Sequence, residues 1–202
     1  MTQFEPEIYF YDSRKTEDVF KIHDYNTCLK NGILICPNIL YFLVKGTYWK
    51  TLKDTSNFGI NEKEKDNYEA IRRFFDFVRS KNPSNFNVFI TPHIFTKFIH
   101  LIRNDNQVSD SHRKGIIKLF SEEFDYLNEE EIKRQEILQS SVFSEKLYGI
   151  SETALLILKS RKQTPCIFST SGKILSEYNE DFLFISFDEI VSFIKEDMRR
   201  SH

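Results

Sequence analysis

The chain is poor in the residues that break or staple a fold. Its 202 residues include only Gly 6, Pro 5 and Cys 3. That is too little glycine and proline for a loop-rich, collagen-like or disordered chain. Cys28, Cys36 and Cys166 are odd in number, far apart and form no CxxC pair. This argues against a disulfide framework and reads as buried free thiols in a reducing, cytoplasmic setting. The longest apolar run, residues 39–44, is too short to span a bilayer, so no membrane partner is expected. The polar, acidic first seven residues do not read as a signal peptide. A formal net charge of −2 gives no global pull toward nucleic acid or anionic lipid. Gly-rich phosphate loops, Ser–His–Asp signatures and zinc spacings are also missing.

What is present is aromatic and periodic. Phenylalanine, at 20 residues against a single tryptophan, is expected to fill much of one sizeable core. Residues 33–36, 88–90, 165–168 and 182–185 are short apolar runs, suited to strands buried on both faces. Residues 8–11 suggest one more short strand. Helical spacing marks residues 16–29, where Thr16 can cap and Gly32 stops the run. Residues 39–44 follow, capped by Asn38, and residues 50–61 read as loop. The clearest amphipathic helix covers 62–81, with Tyr68, Ile71, Phe75 and Val78 in one stripe. Further helices are expected from Pro92 to about 103, and over 109–124, 128–139, 172–178 and 187–198. A strongly apolar one starts at Ser151. Residues 140–148 fit no single assignment.

Strands alternating with helices predict an α/β fold: three layers, α/β/α, around a central, mostly parallel sheet of four to five strands. Residues 1–31 read as an N-terminal extension packing on a core domain of 32–202.

In such sheets ligands bind beyond the carboxyl ends of the strands, where strand order reverses. The rule selects Cys36-Pro37-Asn38, the Thr91 to Lys97 segment, Gly149-Ile150-Ser151-Glu152, and the Ser169 to Lys173 segment as the lining of one cleft. In this order and spacing the four segments resemble the motifs of PIN domains, small parallel-sheet nucleases that cut RNA. The strand ending Ile35-Cys36-Pro37-Asn38 stands where the family has Asp-Thr-Asn. Thr91-Pro92 opens the helix that should carry a Glu. Gly149-Ile150-Ser151-Glu152 stands for Gly-x-x-Asp, and Ser169-Thr170-Ser171 for Thr-x-Asp. The resemblance covers roughly residues 33–190.

It implies a site of carboxylates holding Mg²⁺ or Mn²⁺, which activate water and neutralise the scissile phosphate. The four acidic positions here are Cys36, Lys97, Glu152 and Ser171, a single acid among them. Lys97 replaces an anion by a cation. Two unit charges about 4 Å apart exchange about 4 kcal/mol at an effective dielectric of 20. The expectation is therefore no metal and no cofactor, with Lys97 paired to Glu152 in the metal's place. The resemblance then implies a degenerate, non-catalytic PIN-like domain. It would bind RNA or a protein partner through a cleft also lined by Asn38, Ser169 and Thr170, and a homodimer is compatible with it.

Two catalytic readings stand beside this one. An atypical metal-dependent endoribonuclease, of the toxin–antitoxin or defence type common among PIN proteins, would use Glu152 with acids such as Asp54, Glu177 or Asp181. A metal-independent ribonuclease would use His93 and His100 as base and acid, with Lys97 stabilising the phosphorane. These three lie at i, i+4 and i+7, on one helix face. The plain readings are a surface lysine at Lys97, a helix N-terminal carboxylate at Glu152, and turn residues at Thr170 and Ser171. His23 and His112 read as structural, and Arg72, Arg73, Arg79 and Lys81 as a solvated helix face.

Overall fold

A computed structural model of the chain describes residues 9–11, 19–21, 32–55, 57–81, 86–162, 166–170 and 183–186. The expected helices over 172–178 and 187–198 fall outside them. In chain order the elements are β1 (Tyr9–Tyr11), β2 (Val19–Lys21), β3 (Ile33–Ile35), α1 (Pro37–Thr51), α2 (Glu62–Lys81) and β4 (Val88–Ile90). Then follow α3 (Pro92–Asn104), α4 (Asp110–Glu123), β5 (Leu127–Glu129), α5 (Arg134–Gln139), α6 (Ser141–Ser144), α7 (Ile150–Lys162), β6 (Cys166–Ser169) and β7 (Leu183–Ser186).

The strands form one sheet in the order β2-β1-β7-β6-β3-β4-β5. Five of them, β7-β6-β3-β4-β5, run parallel. The chain lays down β3, adds β4 and β5 on one side, then crosses back to add β6 and β7 on the other. Strand order therefore reverses between β3 and β6. Consecutive strand residues point to opposite faces. Ile33, Leu34 and Ile35 of β3, and Ile167 and Phe168 of β6, are all buried, so helices cover both faces of the sheet in the expected three layers.

Several expectations are corrected. Residues 16–29 do not form one helix: Val19–Lys21 is a strand, antiparallel to β1 with Phe10 opposite Phe20. Valine and phenylalanine favour strands, and in a short window a helical stripe and a strand are hard to tell apart. β1 also pairs antiparallel with β7, through Tyr11 and Phe184, so residues 9–11 and 19–21 extend the sheet itself.

The segment 128–139 is not a continuous helix either. It begins in β5, and only Arg134–Gln139 is helical. Ile132 and Ile137 anchor it in the core, while Glu130 and Glu136 pair with Lys162 and Arg161 of α7. Those tertiary partners replace intrahelical ones.

α1 starts earlier and runs longer than residues 39–44. Pro37 occupies its first turn, where a missing N–H costs nothing, and Cys36 rather than Asn38 is the N-cap. α2 matches its expected span, with Tyr68, Ile71, Phe74 and Phe75 buried. Phe74 and Phe75 meet Phe168 of β6 at ring-centroid distances of 4.7 and 6.2 Å. α1 crosses α2 closely: a Cβ on Gly46 would lie 2.2 Å from the Tyr68 ring.

Beside that crossing lies a buried charge cluster. Lys45 of α1 is 1% exposed. Its Nζ donates to Glu64 Oε1 at 2.8 Å, Asp105 Oδ2 at 2.7 Å and Tyr41 Oη at 3.0 Å. Tyr41 in turn donates to Asp105 Oδ2 at 2.6 Å. Burial pushes the Tyr41 hydroxyl strongly up, and its hydrogen bond to Asp105 and the nearby carboxylate charges add to this; it stays a neutral donor. Burial alone would raise the Asp105 carboxyl, but hydrogen bonds from Lys45, Tyr41 and the Gln107 N–H, with the lysine charge, hold it below its ordinary value.

Removing one partner of such a cluster leaves buried charge uncompensated. Lys45→Met is expected to cost about 3–5 kcal/mol in urea unfolding at pH 7. The pH dependence has a definite sign. In the wild type, the depressed Asp105 carboxyl stabilises the fold in full above the ordinary 3.8, and this share is lost as pH falls through its lower folded value. Without the lysine, the Asp105 carboxyl loses the first of the groups that offset its burial, so the deficit should shrink in mild acid as it takes up a proton. Parallel urea titrations at pH 7 and pH 5 check this.

Candidate functional site

A cleft of about 690 Å³ opens at the carboxyl edge of the sheet, at the reversal between β3 and β6. All four segments selected from the sequence converge on it. Cys36, Pro37 and Asn38 come from the end of β3 and the first turn of α1. His93, Thr96, Lys97 and His100 come from one face of α3. Gly149, Ile150, Ser151, Glu152 and Leu155 come from the start of α7, and Ser169 and Thr170 from the end of β6. Ser171, Glu177 and Asp181 lie outside the described residues, and Asp54 is exposed and does not line the cleft.

Each wall has a local cause. Thr91, fully buried, caps α3 by accepting the Ile94 N–H at 3.3 Å. Ile94, Phe98 and Ile102 bury one face of that helix, which turns His93, Lys97 and His100 to the cleft. Asn38 Nδ2 donates to Thr170 Oγ1 at 2.9 Å, joining the β3 and β6 ends across the reversal. Cys36 is buried, its Sγ 3.9 Å from the same hydroxyl.

α7 begins at Ile150, so Ser151 lies inside the helix rather than capping it. The Ser151 hydroxyl donates to the His93 carbonyl at 3.2 Å and ties α7 to α3. Glu152 Oε2 accepts the Gly149 N–H at 3.0 Å, a carboxylate satisfying the helix's own N-terminus.

The expected Lys97–Glu152 ion pair is not formed. Lys97 is exposed and has no carboxylate partner among the described residues, while Glu152 is engaged at the start of its own helix. The helix N-terminus offers that carboxylate a nearer set of donors.

The histidines differ. His93 has its Nδ1 buried without a hydrogen-bond partner among the described residues. His100 is exposed, and its Nε2 accepts from Asn104 Nδ2 at 2.8 Å. Accepting there places its proton on Nδ1. His112 meets the Tyr48 hydroxyl at 3.2 Å and packs edge-on against Phe58, a structural role. Arg72 pairs with Glu69 and Asp76, as befits a solvated face.

The donor set does not fit the divalent ion of PIN chemistry. Mg²⁺ and Mn²⁺ need several hard oxygen ligands. Among the described residues the cleft presents one carboxylate, already accepting an N–H, with a buried thiol, an ammonium without a carboxylate partner, two imidazoles and neutral hydroxyls. Among the described residues no three His, Cys, Asp or Glu side chains gather as a metal site.

What sequence reasoning missed is the exposed apolar Leu147, three residues before the half-exposed Ile150 of the lining. Leu147 is 80% exposed with a φ of 54°, in the left-handed region. Only the unassigned stretch over 140–148 hinted at it.

No protein-family model matches the chain, and no curated protein matches it.

A cleft whose described residues gather no metal-ligand set should not respond to a divalent cation. Millimolar Mn²⁺ is expected to leave the melting temperature unchanged, since a ligand held by the folded state alone would raise it. Glu152→Gln should lower stability by about 0.3–1 kcal/mol, the usual worth of a carboxylate at a helix N-terminus. Differential scanning calorimetry of the two proteins, with and without Mn²⁺, tests both.

Proposed function

We propose that this chain is a degenerate PIN-like domain that binds single-stranded RNA in its cleft and does not cut it by metal chemistry. The observation that carries the reading is the basic face of α3. His93, Lys97 and His100 line the cleft together, and Glu152 is the one carboxylate among the described residues that line it. The ordered convergence of the four motif segments at the strand reversal supports the PIN-like part. The depleted acid set supports loss of the metal.

The spacing of the basic face favours holding over cutting. Along a helix, His93 and Lys97 are separated by about 6 Å of rise, Lys97 and His100 by about 4.5 Å, and the two histidines by about 10.5 Å. A base and an acid serving one phosphate must both reach the atoms around it. Here His100 is tethered to Asn104, one turn farther from His93. Three donors strung along a groove instead suit successive phosphates of one strand, with the half-exposed Ile150 offering apolar surface to bases.

Fluorescence anisotropy with a single-stranded RNA oligomer tests the reading. Binding should weaken with salt, and Lys97→Ala should reduce the slope of log K against log salt by about 0.7, the share of one phosphate contact on a single strand. Cleavage stimulated by Mn²⁺ or Mg²⁺ and abolished in Glu152→Gln would instead establish the metal-dependent endoribonuclease. Cleavage that survives EDTA and is lost in His93→Ala would establish the metal-free one. Failure to bind RNA, with capture of a protein ligand at the same face, would assign the cleft to a protein partner.

A further inference from the structure

We infer that the buried Lys45–Asp105–Tyr41 cluster positions His100 in the cleft, acting through Asn104. The inference rests on reading the α3 basic face as the binding surface, but its central measurement does not need RNA.

The chain of contacts is continuous. Asp105 is the C-cap of α3, the residue directly after Asn104. Its Oδ2 takes hydrogen bonds from Lys45 and Tyr41, and its Oδ1 takes the Gln107 N–H at 2.9 Å. Its carbonyl accepts from Arg113 of α4 at 2.7 Å. The last turn of a helix ordinarily frays, because its carbonyls lack partners and nothing holds the chain beyond. Here α1, through Tyr41 and Lys45, and the Arg113 side chain hold it. Asn104 therefore stays in register to donate to His100 Nε2, one turn back.

The consequence is chemical. A neutral imidazole held at Nε2 by a donor carries its proton on Nδ1, and so presents an N–H rather than a lone pair at that nitrogen. For an anionic ligand an N–H is attractive and a lone pair repulsive. Lys45 also roots α1, whose first turn supplies Asn38 to the opposite wall. The cluster thus ties the middle of α1 to the end of α3 away from the strand edge. Lys45, Tyr41 and Asp105 are positioning residues: none lines the cleft.

The test uses the full chain labelled with ¹⁵N, with the imidazole nitrogens read by NMR at a pH where His100 is neutral. In the wild type His100 should show the Nδ1–H tautomer. Asn104→Ala sets the released reference, a mixed tautomer. Asp105→Asn and Tyr41→Phe should both move His100 toward that reference while His112, held by Tyr48, keeps its signal. Lys50→Ala, which breaks the exposed Lys50–Glu69 pair, should leave His100 unchanged. If Asp105→Asn does not fold, Tyr41→Phe carries the measurement, since it deletes a single hydroxyl.

Affinity for single-stranded RNA should fall between about twofold and tenfold in the same variants, the range of one net hydrogen bond. An unchanged His100 tautomer in folded Tyr41→Phe overturns the inference. A shifted tautomer with unchanged RNA affinity would keep the positioning role and overturn the reading of His100 as an RNA contact. Absence of RNA binding in the wild type would overturn the proposed function alone, and the tautomer would still decide the positioning role.

Discussion

Parallel pairing is the constraint from which the rest of the architecture follows. A parallel pair cannot be closed by a tight hairpin, so after each strand the chain must travel back along the sheet before pairing again. That return is made by α1 and α2 between β3 and β4, by α3 and α4 between β4 and β5, and by α5, α6 and α7 between β5 and β6. All five parallel strands consequently end on the same edge. The helices that leave β3 and β4, together with α7, begin there. Each strand has only three or four residues, so burial of both faces, rather than the length of the hydrogen-bonded ladder, holds the sheet. The same return path places Cys36, Thr91 and Thr170 side by side, far apart in sequence, and leaves an opening between them.

The distribution of charge around that opening is uneven. Where the fold brings carboxylates together, at Glu64 and Asp105, it supplies its own cation in Lys45 and seals the group from water. At the strand edge, among the described residues, it does the reverse: Lys97 has no carboxylate partner, and Glu152 accepts the N–H at the start of its own helix. The acids are thus spent on architecture and the bases are left at the surface of the cleft. That contrast separates what holds this molecule together from what it offers to a ligand.

Much of this was readable in the residues, for reasons that differ by element. α2 matched its expected span because its apolar stripe, Tyr68 to Val78, repeats at helical spacing over about three turns, with a polar break on either side of the helix. β3 and β4 were legible as apolar runs because central parallel strands are buried on both faces. β2 and β5 were not. They sit at the margins of the sheet, so their residues, Val-Phe-Lys and Leu-Asn-Glu, carry no two-faced apolar signal, and only the register with a neighbour defines them. The four site segments could be picked out because strand ends must converge in this topology. The side-chain partners could not. Glu152 turns to its own helix and Lys97 to solvent, outcomes that stood only as the plain readings beside the ion pair, because spacing does not choose between them. Lys45 was invisible for a related reason: a lysine between Val44 and Gly46 gives no sign that two acids from other helices will enclose it.

Among the described residues, β5 is the outermost strand on its side, pairing with β4 alone. It is also the shortest invitation the sheet could extend. Asn128 and Glu129 are exposed, and Glu130 and Glu131 follow at once. A second chain approaching to add its own strand would meet four polar residues in a row, three of them acidic, and the same run on its own border would repel it. That polar border disfavours edge-to-edge growth of the sheet from this side.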